Sequence, residues 1–212
     1  MCHRWLCSFI GGKFLMNLSR SRPWIMVLSA LTVLVVQWFD TSERTTIWPP
    51  MLFVVLALVL YQGEIRKYDW AALRRIPFWE SVMFAVTQGM IAQAVGIASI
   101  RYVAGIEPPD VPIEITPMVW ISVIFFSAIT EELVYRKIVL SSLQRYTGFW
   151  TGAVISSLLF ALAHHNYSAY LGYFLLGLVW CRAYRNTGNL GVLIAAHIAF
   201  NAIAMIVIAV RG

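Results

Sequence analysis

The stretch PMVWISVIFFSAITEELVYRKIV, residues 117–139, decides how this chain is read. Its first fourteen positions hold no charged residue, and the whole run exceeds the ~20 residues that cover the hydrocarbon core of a bilayer. Then come Glu131 and Glu132 side by side, with Arg136 four positions after the second. Each ionisable group near the centre of such a segment costs ~2.5–3.5 kcal/mol on insertion scales, so carboxylates there mark a working site or a paired support. Glu132 and Arg136 share one helix face with the glutamate first, the better order for an ion pair. Glu131 points about 100° away and is left unpaired by Arg136.

Outward from this stretch, further apolar runs lie at 23–39, 47–62, 80–101, 150–166, 169–185 and 190–210. The chain of 212 residues is 60% hydrophobic and 12% charged, where a soluble domain carries about 25% charged residues. Its mean hydropathy is +0.73. The reading is an all-α, polytopic membrane bundle of about seven transmembrane helices, with short tilted or re-entrant helices at 150–185. Residues 1–22 form an N-terminal basic segment without a signal-peptide pattern, 23–116 an N-terminal transmembrane region, and 117–210 the core that carries the chemistry. Run 47–62 begins at Trp48-Pro49-Pro50, a sensible helix start because the first turn needs no backbone donors.

The net charge of +6 does not indicate nucleic acid, because the basic residues sit in short loops, where they set membrane orientation. Arg66, Lys67, Arg74 and Arg75 place the loop after 47–62 in the cytoplasm. Glu107, Asp110 and Glu114, without a basic residue among them, place the loop after 80–101 outside. Alternation then puts the N-terminus inside and the C-terminus outside, and the membrane is expected to be the inner (cytoplasmic) membrane of a bacterium. The three cysteines, Cys2, Cys7 and Cys181, form neither a disulfide framework nor a metal-ligand pattern.

The other polar groups within apolar runs are His164 and His165 at the end of 150–166, and His197 and Asn201, one turn apart, in 190–210. Taken singly, Asn201 or His165 reads as an interhelical hydrogen bond, and Glu132 with Arg136 as a structural pair. Taken together, an unpaired glutamate, histidines on two further helices and an asparagine supply a base, a partner to tune it and donors for an oxyanion. There is no His-Glu-x-x-His helix, no Gly-x-Ser-x-Gly elbow and no second intramembrane aspartate. One spacing fits poorly. Glu131 and His197 lie about 10 Å from the cytoplasmic side, whereas His164 lies about 20 Å from it, so the segment bearing His164 has to be tilted or re-entrant.

Glu131-Glu132-x-x-x-Arg136, Phe160-x-x-x-His164 and His197-x-x-x-Asn201, with the connecting Gly172–Gly177 and Tyr184–Leu190, resemble the motifs of the CPBP family of CAAX proteases and bacteriocin-processing (Abi) proteins. The resemblance covers about residues 117–205. It implies a glutamic-type intramembrane endopeptidase in which Glu131 activates water with His164, His197 and Asn201 hold the oxyanion, and Glu132 and Arg136 position Glu131. It implies a membrane-embedded or lipid-anchored protein or peptide as substrate, the bilayer as surroundings, and no cofactor. Two alternatives stand beside it. One is a zinc-dependent metalloprotease in which His164, His197 and Glu131 hold the ion. The other is a non-proteolytic transporter or immunity protein, since buried Glu/His sets also serve proton relays.

Overall fold

The computed structural model describes residues 24–40, 42–106 and 116–211. The basic segment at 1–22, with Cys2 and Cys7, and the acidic positions Glu107, Asp110 and Glu114 lie outside the described residues. Among those described there is no strand. The helices are α1 (Trp24–Phe39), α2 (Glu43–Leu60), the short α3 (Gln62–Lys67), α4 (Ile76–Ala104), α5 (Pro117–Thr147), α6 (Phe149–Leu162), α7 (Tyr170–Thr187) and α8 (Leu190–Arg211).

The architecture is the expected helical membrane bundle. Helices α2, α4, α5 and α8 are long and apolar enough to cross a bilayer, while α1 and α6 are apolar but shorter. Helix α7 has the length but carries Arg182 and Arg185 in its last turns. Large apolar side chains such as Leu28, Leu52, Leu58, Met83, Phe84 and Ile206 are exposed on the outer faces, as a lipid-facing surface requires. The core gathers Phe53, Val82, Val134, Phe160, Leu176, Trp180 and Leu193 from six helices.

Helix α2 starts earlier than its prolines suggested. It begins at Glu43, and Pro49 and Pro50 sit inside it. A proline removes the N–H that would bond the carbonyl four residues back, which here orphans the carbonyls of Thr45 and Thr46. Both find substitutes on neighbouring helices. Gln37 Nε2 of α1 donates to the Thr45 carbonyl at 3.5 Å. Ser122 Oγ of α5 donates to the Thr46 carbonyl at 2.6 Å. Re-satisfaction by neighbours is what permits a broken helix in lipid.

Helix α5 is longer than the apolar run that announced it, and this removes the poor spacing. It continues past Val139 to Thr147. The chain then reverses at Gly148, whose φ of 82° suits a residue without a Cβ. Helix α6 runs back along α5, with Ser156 Oγ donating to the Tyr135 carbonyl at 2.7 Å. Glu131 and His164 thus stand at nearly matching distances along the two arms of one hairpin. Glu131 lies near the middle of α5, not about 10 Å from its end. The fourteen residues of α6 cover only about 21 Å, so the helix ends within the bilayer thickness.

Helix α7 is clamped by glycines. A Cβ on Gly96 of α4 would collide with the Gly172 backbone, and one on Gly177 would lie 2.8 Å from Ser157 Cβ of α6. Small residues let helix backbones approach this closely, which is how bundles pack in lipid. Trp180 of α7 completes the clamp, its Nε1 donating to the Ala85 carbonyl at 3.2 Å.

Candidate active site

Helix α5 is wound wide over Ser122–Ser127 and again over Glu132–Leu140, with π-type hydrogen bonding. Such stretches are uncommon and recur at functional sites. The four residues between them, Ala128–Glu131, are ordinary α-helix, so Glu131 and Glu132 straddle a change of winding. Side chains attend both wide stretches. Asn201 Nδ2 donates to the Val123 carbonyl at 2.8 Å, and Ser141 Oγ to the Arg136 carbonyl at 2.9 Å.

Glu132 and Arg136 form a fully buried ion pair, with Nη1 3.1 Å from Oε1. The contact has ion-pair distance without hydrogen-bond alignment, and the guanidinium nitrogens donate no hydrogen bond to the protein. Aromatic faces receive the cation instead. Its Cζ lies 4.8 Å from the Phe160 ring centre and 5.4 Å from that of Trp180. A desolvated cation over a ring face gains about 2 kcal/mol or more.

His197 of α8 is buried, and its Nδ1 donates to Glu132 Oε1 at 2.8 Å. His164, just past the end of α6, folds back so that its Nδ1 donates to the Phe160 carbonyl at 2.7 Å. Each bond puts a proton on Nδ1 and turns Nε2 towards the site. Both Nε2 atoms converge on one oxygen, Glu131 Oε2, at 3.9 Å from His164 and 3.7 Å from His197. That oxygen is buried and accepts no hydrogen bond from the protein. Polar contacts of this length are too long for direct hydrogen bonds and suit a bridging water.

The structure therefore brings five of the six expected residues into one cluster: Glu131, Glu132, Arg136, His164 and His197. Asn201 lies one turn further along α8, with an amide hydrogen committed to Val123. His165 stands apart. Its φ is +50°, and its ring lies 4.0 Å from that of Trp38 on α1. Sequence reasoning missed the aromatic walls. Tyr173 of α7 stacks on His164 with ring centres 3.8 Å apart, and Trp180 lies 4.5 Å from His197. Tyr173 belongs to the Gly172–Gly177 spacer, whose richness in aromatics was the available signal.

Zinc at its usual ~2.0–2.1 Å would need each pair of donors near 3.3 Å. Glu131 Oε2 lies farther than that from both Nε2 atoms, and no group of three His, Cys, Asp or Glu among the described residues is arranged to hold an ion.

Residues 113–203 match the family of type II CAAX prenyl endopeptidase Rce1-like proteins. The chain is similar to the putative membrane peptidase YdiL of Bacillus subtilis (strain 168), at 30% identity over 94 residues, 44% of this chain and 38% of that protein. It is also similar to the membrane-embedded CAAX protease MroQ of Staphylococcus aureus (strain USA300), at 34% identity over 93 residues, 39% of this chain and 38% of that protein. The matched part thus spans well under half the length of either relative. No solved structure matches. The matched segment contains every residue of the cluster, and its similarity to Rce1-like CAAX proteases agrees with the resemblance carried by the three motifs.

Proposed function

We propose that this integral membrane protein hydrolyses a peptide bond in a membrane-embedded or lipid-anchored protein, with Glu131 as general base. The observation that carries the reading is the convergence of two imidazole Nε2 atoms on Glu131 Oε2, at 3.7 and 3.9 Å, with both Nδ1 atoms anchored elsewhere. A water among these three atoms donates one hydrogen to the carboxylate and is oriented by His164. As Glu131 takes the proton, the water oxygen bonds to the scissile carbonyl carbon and the carbonyl π pair moves onto its oxygen. The C–N bond then breaks, and the proton held by Glu131 passes to the departing amine.

The oxyanion is met by His197 Nε2–H and by the second amide hydrogen of Asn201. His197 serves this role as an imidazolium, which Glu132 stabilises from the Nδ1 side, much as a buried aspartate does in a serine-protease triad. Charge then balances inside the bundle: Arg136 offsets Glu132, and His197 offsets Glu131. Glu132 and Arg136 orient His197 and support Glu131 without touching substrate. On this reading the catalysis is done by side chains, and zinc held by His164, His197 and Glu131 is the alternative to be tested.

For orientation, we place the loop after α2 in the cytoplasm and the C-terminus outside. Arg66, Lys67, Arg74 and Arg75 follow α2, Lys137 of α5 pairs with Glu64 of α3, and Tyr68 bonds Asn189 at the start of α8, so the basic residues gather at one end. The central test maps peptide termini in membranes from cells carrying wild-type or Glu131→Gln protein. The reading expects a set of termini that vanishes in the isosteric variant while protein abundance stays normal. Identical termini in both would overturn it.

A further inference from the structure

Glu131 borders a second space, apart from the one its Oε2 shares with the histidines. Where α1 and α2 meet α5 lies a cavity of about 20 Å³, whose walls include Ala30 and Gln37 of α1, Pro50 of α2, and Ser127, Glu131 and Tyr135 of α5. Neither His164 nor His197 is in those walls. A single water needs at least ~10–15 Å³ of such space and two to four polar partners. The size is right for one molecule.

The partners are present as well. Thr130, also in the wall, spends its hydroxyl on the Pro50 carbonyl at 3.3 Å. Gln37 spends Nε2 on the Thr45 carbonyl at 3.5 Å, which leaves its side-chain oxygen as an acceptor. Ser127 stands one turn before Glu131 on the ordinary α-helical stretch between the two wide ones. Serines in helices return their hydrogen to a carbonyl a turn back, as Ser81 and Ser99 do here. On α5, Ser122 and Ser141 also bond carbonyls. The Ser127 hydroxyl is the exception, with no hydrogen bond to a described residue. The buried Tyr135 hydroxyl has none either. Glu131 Oε2 faces the two imidazoles at 3.9 and 3.7 Å, so Oε1 is left for another partner. Donors without acceptors thus stand beside a carboxylate, around a space of one water.

On the reading of Glu131 as base, we infer that this cavity binds a water distinct from the nucleophile, held between the Ser127 hydroxyl and Glu131 Oε1, and that Ser127 is thereby a positioning residue for the base. The two waters differ because the attacking one is oriented by His164, which the cavity does not touch. Ser127 donates to the oxygen of the bound water, which gives one hydrogen to Oε1 and the other to the Gln37 side-chain oxygen. A carboxylate turning about its last bond would present Oε1 and Oε2 to the imidazoles by turns. The tie on Oε1 stops that rotation and keeps Oε2 in place before substrate arrives. Helices α1 and α2, which precede the matched residues 113–203, therefore take part in aligning the base.

The test has a part that needs no activity and a part that does. Ala30 is buried in the cavity wall, so Ala30→Val places two methyl groups where the water would sit. A density map that resolves waters should show a peak within hydrogen-bond distance of Ser127 Oγ and Glu131 in the wild type, and none in Ala30→Val. A wild-type cavity without that peak overturns the site. On a peptide found by mapping Glu131-dependent termini, Ser127→Ala and Ala30→Val should each lower kcat about tenfold at unchanged KM. Acting through one water, the two together should lower it no further than either alone, where independent effects would multiply to about a hundredfold. Wild-type kcat in Ser127→Ala, a multiplied loss in the double variant, or a slowing that tracks a fall in melting temperature overturns the positioning role. Should Ala30→Val fail to fold, the wild-type map and Ser127→Ala still decide. Persistence of the termini in Glu131→Gln would remove the base, a result separate from the presence or absence of the water.

Discussion

His197 of α8 donates from Nδ1 to Oε1 of Glu132 on α5 at 2.8 Å, the same oxygen that Arg136 Nη1 approaches at 3.1 Å. One carboxylate thus serves a histidine on another helix and an arginine on its own. It fixes the ring so that Nε2 faces Glu131, and it does so with no exposure to solvent. The second glutamate of the pair is therefore an orienting group for His197 as well as a partner for Arg136.

Glu132→Gln should lower both yield and activity, in contrast to Glu131→Gln. Removing one charge of a buried pair costs about 3–5 kcal/mol, because Arg136 is left uncompensated. Thermal melting in detergent and cleavage by the surviving folded fraction report the two losses separately. A Glu132→Gln protein with wild-type melting temperature would contradict the pairing.

Asn201→Ala should reduce turnover by 10²–10³ with little change in KM, since an oxyanion donor acts only in the transition state. Its bond to the Val123 carbonyl adds a second effect, a loss of about 1–3 kcal/mol in stability from an unpaired acceptor. Kinetics on a peptide found by terminus mapping, beside a melting curve, distinguish the roles. Loss of stability at an unchanged kcat would reduce Asn201 to a structural tie.

Ser122→Ala should destabilise the fold by about 1–3 kcal/mol, because the Thr46 carbonyl behind Pro50 loses its substitute donor. Ser99→Ala is the control. That hydroxyl, on α4, bonds the Val95 carbonyl within its own helix, and its loss should shift melting by less than about 0.5 kcal/mol. Equal melting of the two variants would refute the account of α2.

Purified active protein should contain no stoichiometric zinc by elemental analysis and should retain activity after its metal content is stripped. Inhibition by a chelator would not decide the matter without that measurement. One zinc per active chain would show that the histidines and Glu131 close around an ion.

Reporter fusions at Gly212 should read as external, and a tag placed at Gly63, where no neighbouring atom crowds the chain, as cytoplasmic. A cytoplasmic Gly212 would break the alternation, with α6 and α7 the first place to look.

Much of the site was legible because charge in an apolar run is rare and costly. Glu131, Glu132, His164 and His197 stood out on those grounds, and the four-residue spacing of Glu132 and Arg136 became a buried ion pair. The height mismatch between Glu131 and His164 arose from ending α5 where its hydropathy ends. Ser141, Gln144 and Arg145 are polar yet helical, so hydropathy marks the lipid boundary and not the helix boundary. Pro49 and Pro50 misled for a related reason. A local rule about donors gave way to side chains from Gln37 and Ser122, which no local pattern reveals. The wide winding around Glu131 and the stacking of Tyr173 on His164 are tertiary in origin and leave no periodic trace.

The borrowed hydrogen bonds of α2 also impose an order on the birth of the protein. When α2 leaves the ribosome, Gln37 has already been made and can attend to Thr45 at once. Ser122, the donor for Thr46, lies 76 residues further on. Until it arrives, the Thr46 carbonyl must stay in contact with water or with the insertion machinery, because lipid offers it no donor. Helix α2 therefore enters the membrane unfinished, and the arrival of α5, which brings Glu131 with it, is the event that lets it settle.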